Sequence, residues 1–126
     1  MRIFWKKLEK LNAEDFRLEV EKECCKQGLP KLEVVEERFG SIKLRVSLTH
    51  NARIELYFNE DTETITSALV VNEKRIFGIN GYPRVGRWHL HPEENVQRHM
   101  RIKPMTIKRI IKEYVKAIGK LKIKRI

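Results

Sequence analysis

Two neighbouring stretches of strict alternation limit the fold more than anything else in this 126-residue chain. Residues 42–48 put Ile42, Leu44, Val46 and Leu48 on one side of an extended backbone and Lys43, Arg45 and Ser47 on the other. Residues 52–58 repeat the pattern with Ala52, Ile54, Leu56 and Phe58. Successive runs of period two describe an antiparallel hairpin with one apolar and one wet face. Parity then chooses the connection. A two-residue turn at His50-Asn51 would set Leu48 opposite Arg53. A three-residue loop, Thr49-His50-Asn51, pairs Leu48 with Ala52, Val46 with Ile54, Leu44 with Leu56 and Ile42 with Phe58, and puts Arg45 opposite Glu55 on the other face. The three-residue loop is therefore expected, with Asn51 left-handed and His50 at its tip.

The same logic extends along the chain. A loop at Asn59-Glu60-Asp61-Thr62 pairs Leu56 with Ile65, and a tight turn at Asn72-Glu73 pairs Leu69 with Ile76 and Ala68 with Phe77. Strands 64–71 and 74–79 are apolar on both sides, which predicts cover on both faces. Asn80-Gly81-Tyr82-Pro83 reads as a turn. Helices bracket these strands. Asn12 caps a helix over 13–27, with Asp15 at N3, Leu11 and Phe16 as a hydrophobic staple, and Gly28 and Pro30 as its stop. The segment before it, with Phe4, Leu8 and Leu11, suits a short helix of its own. Thr106 caps a second helix whose stripe is Ile107, Ile110, Ile111, Tyr114, Val115 and Ile118, and Gly119 is expected to end it. Lys108, Arg109, Lys112 and Lys116 occupy its solvent side. The expected fold is α+β: one domain spanning 1–126, an antiparallel meander of five or six strands flanked by an N-terminal and a C-terminal helix. The basic tail 120–126 is either an added strand or a disordered arm.

Charge is distributed unevenly. The chain holds 27 Lys and Arg against 17 Asp and Glu, a net of +10. Residues 1–40 and 41–80 are each balanced, so the whole excess falls in 81–126. Such asymmetry points to a polyanionic partner, nucleic acid first and an anionic membrane second. A merely solubilised face is the plainer alternative. Charged residues make up 35% while Gln occurs only at 27 and 97, a profile common in thermophiles. No apolar run approaches the roughly 18 residues that span a bilayer, and MRIFWKKLEKLN breaks into charge too early for a signal peptide. A cytoplasmic protein is expected, with homo-oligomer formation left open. The adjacent Cys24 and Cys25 are expected to be reduced thiols, and no role is assigned to them.

The informative stretch is RVGRWHLHPEENVQRHMRIKP, residues 84–104. If 87–91 is extended, Trp88 and Leu90 face the core while Arg87, His89 and His91 share the other face. His99 follows eight residues later. One chemistry this suits is acid–base cleavage of RNA, where one imidazole takes a proton from the 2′-hydroxyl and another protonates the leaving oxygen. Arg84, Arg87, Arg98, Arg101 and Lys103 would hold the phosphate, which makes RNA the expected partner and no cofactor necessary. A second chemistry is a metal site, with His89, His91, His99 and Glu93 (or Glu94) ligating zinc. The surrounding positive charge disfavours it. The third possibility is that these histidines are purely structural hydrogen-bonding groups. Tyr82 could stack on bases, whereas Trp88 belongs in the core. The sequence holds no Gly-rich phosphate loop, and a Cys–His nucleophile pair has little support because neither cysteine lies near the histidine segment.

The run GRWHLHPEENVQRH, set after a meander of strands, resembles the TumE-like component of toxin–antitoxin pairs. The similarity spans roughly residues 40–118, and His89, His91-Pro92 and His99 match the family's histidine signature. The resemblance implies a helix–strands–helix fold, a toxin-type ribonuclease acting on RNA, and an antitoxin protein as partner.

Overall fold

In the computed structural model, which describes residues 11–83, 86–92 and 100–123, the alternating runs become the centre of one antiparallel sheet. Its strands are β1 (Glu33–Arg38), β2 (Ser41–Thr49), β3 (Ala52–Asn59), β4 (Thr64–Val71), β5 (Lys74–Tyr82), β6 (Arg87–His91) and β7 (Met100–Arg101). Each pairs with the next in simple meander order. Two helices, α1 (Ala13–Lys26) and α2 (Ile107–Lys120), bracket the strands in sequence. The α+β expectation holds, with seven strands among the described residues rather than five or six. The additional ones are the edge strands. Every residue of β1 is exposed, so it has no alternation to read, and β7 is two residues long.

Register agrees with the parity argument at its centre and departs from it at the turns. Ile42, Leu44 and Val46 lie opposite Phe58, Leu56 and Ile54, and Arg45 opposite Glu55. The odd residue is absorbed differently. Thr49 pairs with Ala52 across a tight turn, the register shifts between Ser47 and Thr49, and Asn51 is not among the residues with positive φ. A bulge at Leu48 thus replaces the three-residue loop and leaves Leu48 buried. The β3–β4 loop is Glu60-Asp61-Thr62-Glu63, so Leu56 faces Ser67 and Phe58 faces Ile65. That two-residue slip keeps every side chain on its expected face. At the next turn Asn72 and Glu73 have φ of 52° and 63°, as a type I′ turn requires. A further bulge between Leu69 and Val70 then pairs Leu69 with Phe77 instead of Ile76, and Ala68 with Gly78. Asn80-Gly81-Tyr82 is strand, not turn, because Gly81 pairs with Trp88.

The helix signals work as chemistry. Asn12 Oδ1 accepts from the Asp15 N–H at 2.7 Å, and Thr106 Oγ1 from the Arg109 N–H at 3.1 Å. Both helices end in a Schellman motif. In α1 the Leu29 N–H reaches Cys24 O and the Gly28 N–H reaches Cys25 O, with Gly28 at φ 71°. In α2 the Ile123 N–H reaches Ile118 O and the Lys122 N–H reaches Gly119 O, with Lys122 at φ 56°. Gly119 is therefore inside the helix, and residues 121–123 of the basic tail form its cap. Residues 124–126, like the suggested first helix over Phe4 and Leu8, lie outside the described residues.

Both helices pack on one face of the sheet, in a core that joins Phe16, Val20 and Cys24 to Ile110, Ile111, Tyr114 and Ile118 across the β2–β5 side chains. Phe16 stacks on Phe58 with centroids 4.9 Å apart, and Phe77 meets Tyr114 edge-on at 5.3 Å. The buried Tyr114 hydroxyl donates to Ser67 Oγ, which donates to Ile79 O, each at 2.7 Å. Burial pushes Tyr114 well above the usual tyrosine range although the Ser67 bond works against it. Burial likewise pushes the Cys24 thiol up to about 12, so Cys24 is an inert core residue; Cys25 is exposed. The expected cover on the second face is not a helix. Ala68 and Val70 are buried there outside the helical core, with Val70 between Arg53 and Arg75 and Ala68 between Glu55 and Gly78. Val70 is thus sunk between two long arginine side chains, while Ala68 has Glu55 on one side and the bare backbone of Gly78 on the other.

Two substitutions test these local arguments. A Cβ at Gly81 would lie 2.5 Å from the Trp88 indole, so Gly81→Ala should destabilise by about 1–3 kcal/mol in a urea titration. Lys122→Gly removes the cost of a side chain in the left-handed region and should stabilise by roughly 0.5–1 kcal/mol in the same assay.

Candidate nucleic-acid interface

The face of the sheet turned away from the helices carries the polar half of the alternation, and register sets its side chains in rows. One row reads Lys43, Tyr57, Thr66, Asn80, His89, Arg101, each opposite the next on adjacent strands. The row beside it reads Arg45, Glu55, Ala68, Gly78, His91. Arg87 pairs with Tyr82 at the end of β5. Adjacent strands lie about 4.8 Å apart, so each row is a track of evenly spaced groups.

β6 alternates as expected. Trp88 is buried against Gly81 and Leu90 packs on the core, while His89 and His91 are half-buried on the open face. The Tyr82 and His89 rings lie 6.4 Å apart at 59°. His91 rests beside Gly78. The point that a Cβ there would occupy is 3.9 Å from His91 Cδ2 and 3.6 Å from Arg75 Nη2. The absence of a side chain at position 78 thus lets an imidazole and a guanidinium approach one spot. Arg101 lies opposite His89, and Arg87 and Lys103 are exposed. Arg84, Glu93, Glu94, Arg98 and His99 lie outside the described residues. Of the suggested zinc set, only His89 and His91 are described, and no group of three metal-ligating side chains forms among the described residues. His50 is exposed at the β2–β3 turn, as expected.

The electrostatics of this face depend on which acids are already engaged. Glu55 Oε2 accepts from Arg53 at 2.7 Å and from Arg45 at 3.2 Å, and Arg53 grips both oxygens of Glu73 at 3.0 and 3.1 Å. Burial would raise the Glu55 carboxyl, yet the hydrogen bonds from Arg53 and Arg45 outweigh it and hold it below the usual range. The Arg53 bonds lower Glu73 as well. Beside this chain lies an open hollow of about 540 Å³ whose lining includes Lys43, Tyr57, Thr66, Arg75, Asn80 and Tyr82. Tyr57 is steadied by the Asn59 amide, 3.4 Å from its hydroxyl.

Sequence reasoning located His89, His91 and Tyr82 but not Lys43, Tyr57, Arg75 or Asn80 as their neighbours. The segment 41–80 is charge-balanced, which hid them. Its acids pair with Arg45 and Arg53 or sit at the β3–β4 loop, and Lys43 and Arg75 share the lining of the hollow with Glu55 and, from β1, Glu36. Carrying the parity argument on to β6 was the available signal.

Comparison with known protein families, curated proteins and solved structures returns no match for this chain. No helix among the described residues is long and apolar enough to cross a membrane.

The ion-pair chain has a definite pH signature. Glu55 and Glu73 titrate lower in the folded chain than their ordinary value of 4.5, so their stabilisation is fully present above that pH and is lost as pH falls through the folded values. Arg53→Met should be less stable than wild type at neutral pH, and thermal melts should show the gap closing as pH falls below 4.5.

Proposed function

We propose that this chain is an RNA-directed protein of the toxin type, and that the open sheet face is its RNA surface. The observation that carries this is the row Asn80, His89, Arg101 beside Gly78 and His91. It supplies imidazoles, guanidinium groups and a small-residue notch on one accessible surface. Two residues apart on one strand, the two histidines are separated by roughly 6.7 Å along the backbone, a spacing at which they could flank one phosphate. In this proposal the 2′-oxygen attacks phosphorus as one imidazole takes its proton, and the 5′-oxygen leaves as the other, in its protonated form, supplies one. Arg101, Arg87 and Arg75 neutralise the phosphate oxygens. His99, Arg84 and Arg98 remain candidates for the same work on sequence grounds. An acidic antitoxin would find its charge complement on the same face.

A second proposal is favoured by a specific arrangement. Tyr57, Tyr82 and Lys43 on an open antiparallel face form a stacking platform of the kind that binds single-stranded RNA without cleaving it. Cleavage and binding assays with His89→Ala and His91→Ala separate the two. Loss of cleavage with binding retained supports the ribonuclease, and a wild type that binds but never cleaves supports the platform. Affinity should fall steeply with salt, because each phosphate neutralised releases counterions. A flat salt response would remove both.

A further inference from the structure

We infer that the outer side of α2 is a second anion-binding surface, and that its occupant is the phosphate backbone of double-helical nucleic acid. Both helices pack on one face of the sheet, so this surface is separate from the open face and goes beyond the function proposed above. The observation is a row of like charges. Lys108, Lys112, Lys116 and Lys120 recur every fourth residue and are all exposed, which stacks them along one side of the helix. At 1.5 Å of rise per residue they stand about 6 Å apart and span about 18 Å. Such a row costs stability. Like charges four residues apart repel, and cations in a first turn oppose the positive end of the helix dipole. α2 has Lys108 and Arg109 in its first turn and no acid there. Its one acid, Glu113, is held by Arg109 at 3.0 Å and approached by Lys116 at 4.0 Å. Within the helix neither Lys108 nor Lys112 has an acid three or four residues away. α1, of the same length, obeys the rules that α2 breaks. It opens on Glu14 and Asp15, and its Arg17 pairs with Glu14 and Glu21. A local rule broken without a structural return marks a functional surface.

The chemistry of the exposed side selects the occupant. A helix that lies on a membrane sinks its apolar face into lipid, but Ile110, Ile111, Tyr114 and Ile118 are buried in this protein's own core. Protein interfaces are rich in aromatic residues and depleted in Lys, whereas the exposed side of α2 carries lysines and no aromatic ring. Unpaired strands are gripped by stacking as well as by charge, and the same side offers nothing to stack on. What remains is a stiff polyanion contacted through its backbone alone. Lys is a compact point charge, and a straight row of them meets the regularly spaced phosphates of a duplex whatever its sequence.

The test follows binding of two short RNA duplexes of unrelated sequence by fluorescence anisotropy across a salt series. Wild type should bind both alike. The triple variant Lys108→Gln, Lys112→Gln, Lys116→Gln should bind at least about tenfold more weakly at about 0.1 M salt, with the slope of log affinity against log salt reduced by about two to three. It should melt at or above the wild-type temperature, because the repulsion leaves with the charges. A clear drop would make the lysines structural and overturn the inference. The control Lys22→Gln, Lys31→Gln, Lys74→Gln removes as much charge elsewhere and should keep most of the wild-type slope. An equal fall in the control, an unchanged slope in the α2 variant, a strong preference between the two sequences, or no duplex binding by wild type each overturns the inference. Binding to phosphatidylserine vesicles or to an acidic protein without binding to duplex does so too. His89→Ala and His91→Ala should bind the duplexes as wild type does, so this surface stands even if the open face neither binds nor cleaves RNA.

Discussion

One-sided burial is the constraint from which the rest of the molecule follows. Ile42, Leu44, Val46, Ile54, Leu56 and Phe58 must all reach the two helices, and strand side chains alternate, so their neighbours have no choice but the other face. A single-residue slip between any two strands would exchange the faces and bury Lys43 or Arg45. The bulges at Leu48 and Ile76 preserve this condition. Each absorbs one residue so that the next apolar side chain returns to the helical side. The polar rows are thus as fixed as the core, although both described helices pack on the opposite face.

That rigidity gives the open face a definite electrostatic form. Arg45, Glu55, Arg53 and Glu73 neutralise one another at one end of the sheet, and surface pairs of this kind contribute little to stability by themselves. Lys43 and Arg75 line the hollow together with Glu36 and Glu55, and Arg101 lies opposite His89. Small residues matter equally on this surface. Gly78 lets His91 and Arg75 approach, and Gly81 lets Trp88 lie flat on the other side of the sheet, which holds β6 in register.

Much of this was legible from the chain alone. The caps at Asn12 and Thr106, the hairpin centre at Arg45–Glu55, and the division of β6 into Trp88 and Leu90 against His89 and His91 all rest on short-range rules that tertiary context does not override. The turns were less legible. A three-residue loop and a tight turn with a bulge satisfy the same parity, and only the packing of Leu48 decides between them. The end of α2 was misplaced because Gly119 is the ordinary stop signal, whereas the Ile123 contact with the core makes Lys122 the left-handed residue instead.

Pattern and charge in the sequence determined that there would be a two-faced antiparallel sheet, helices at either end and histidines on a polar face. Those are properties of spacing along one chain. Which distant residues stand beside the histidines was decided only by the tertiary structure. Lys43, Tyr57, Asn80 and His89 come from four different strands and share a row because of the summed registers of four strand pairings. Two of those registers, β2–β3 and β4–β5, contain a bulge, and a bulge is placed by the packing of the core rather than by the residues that form it.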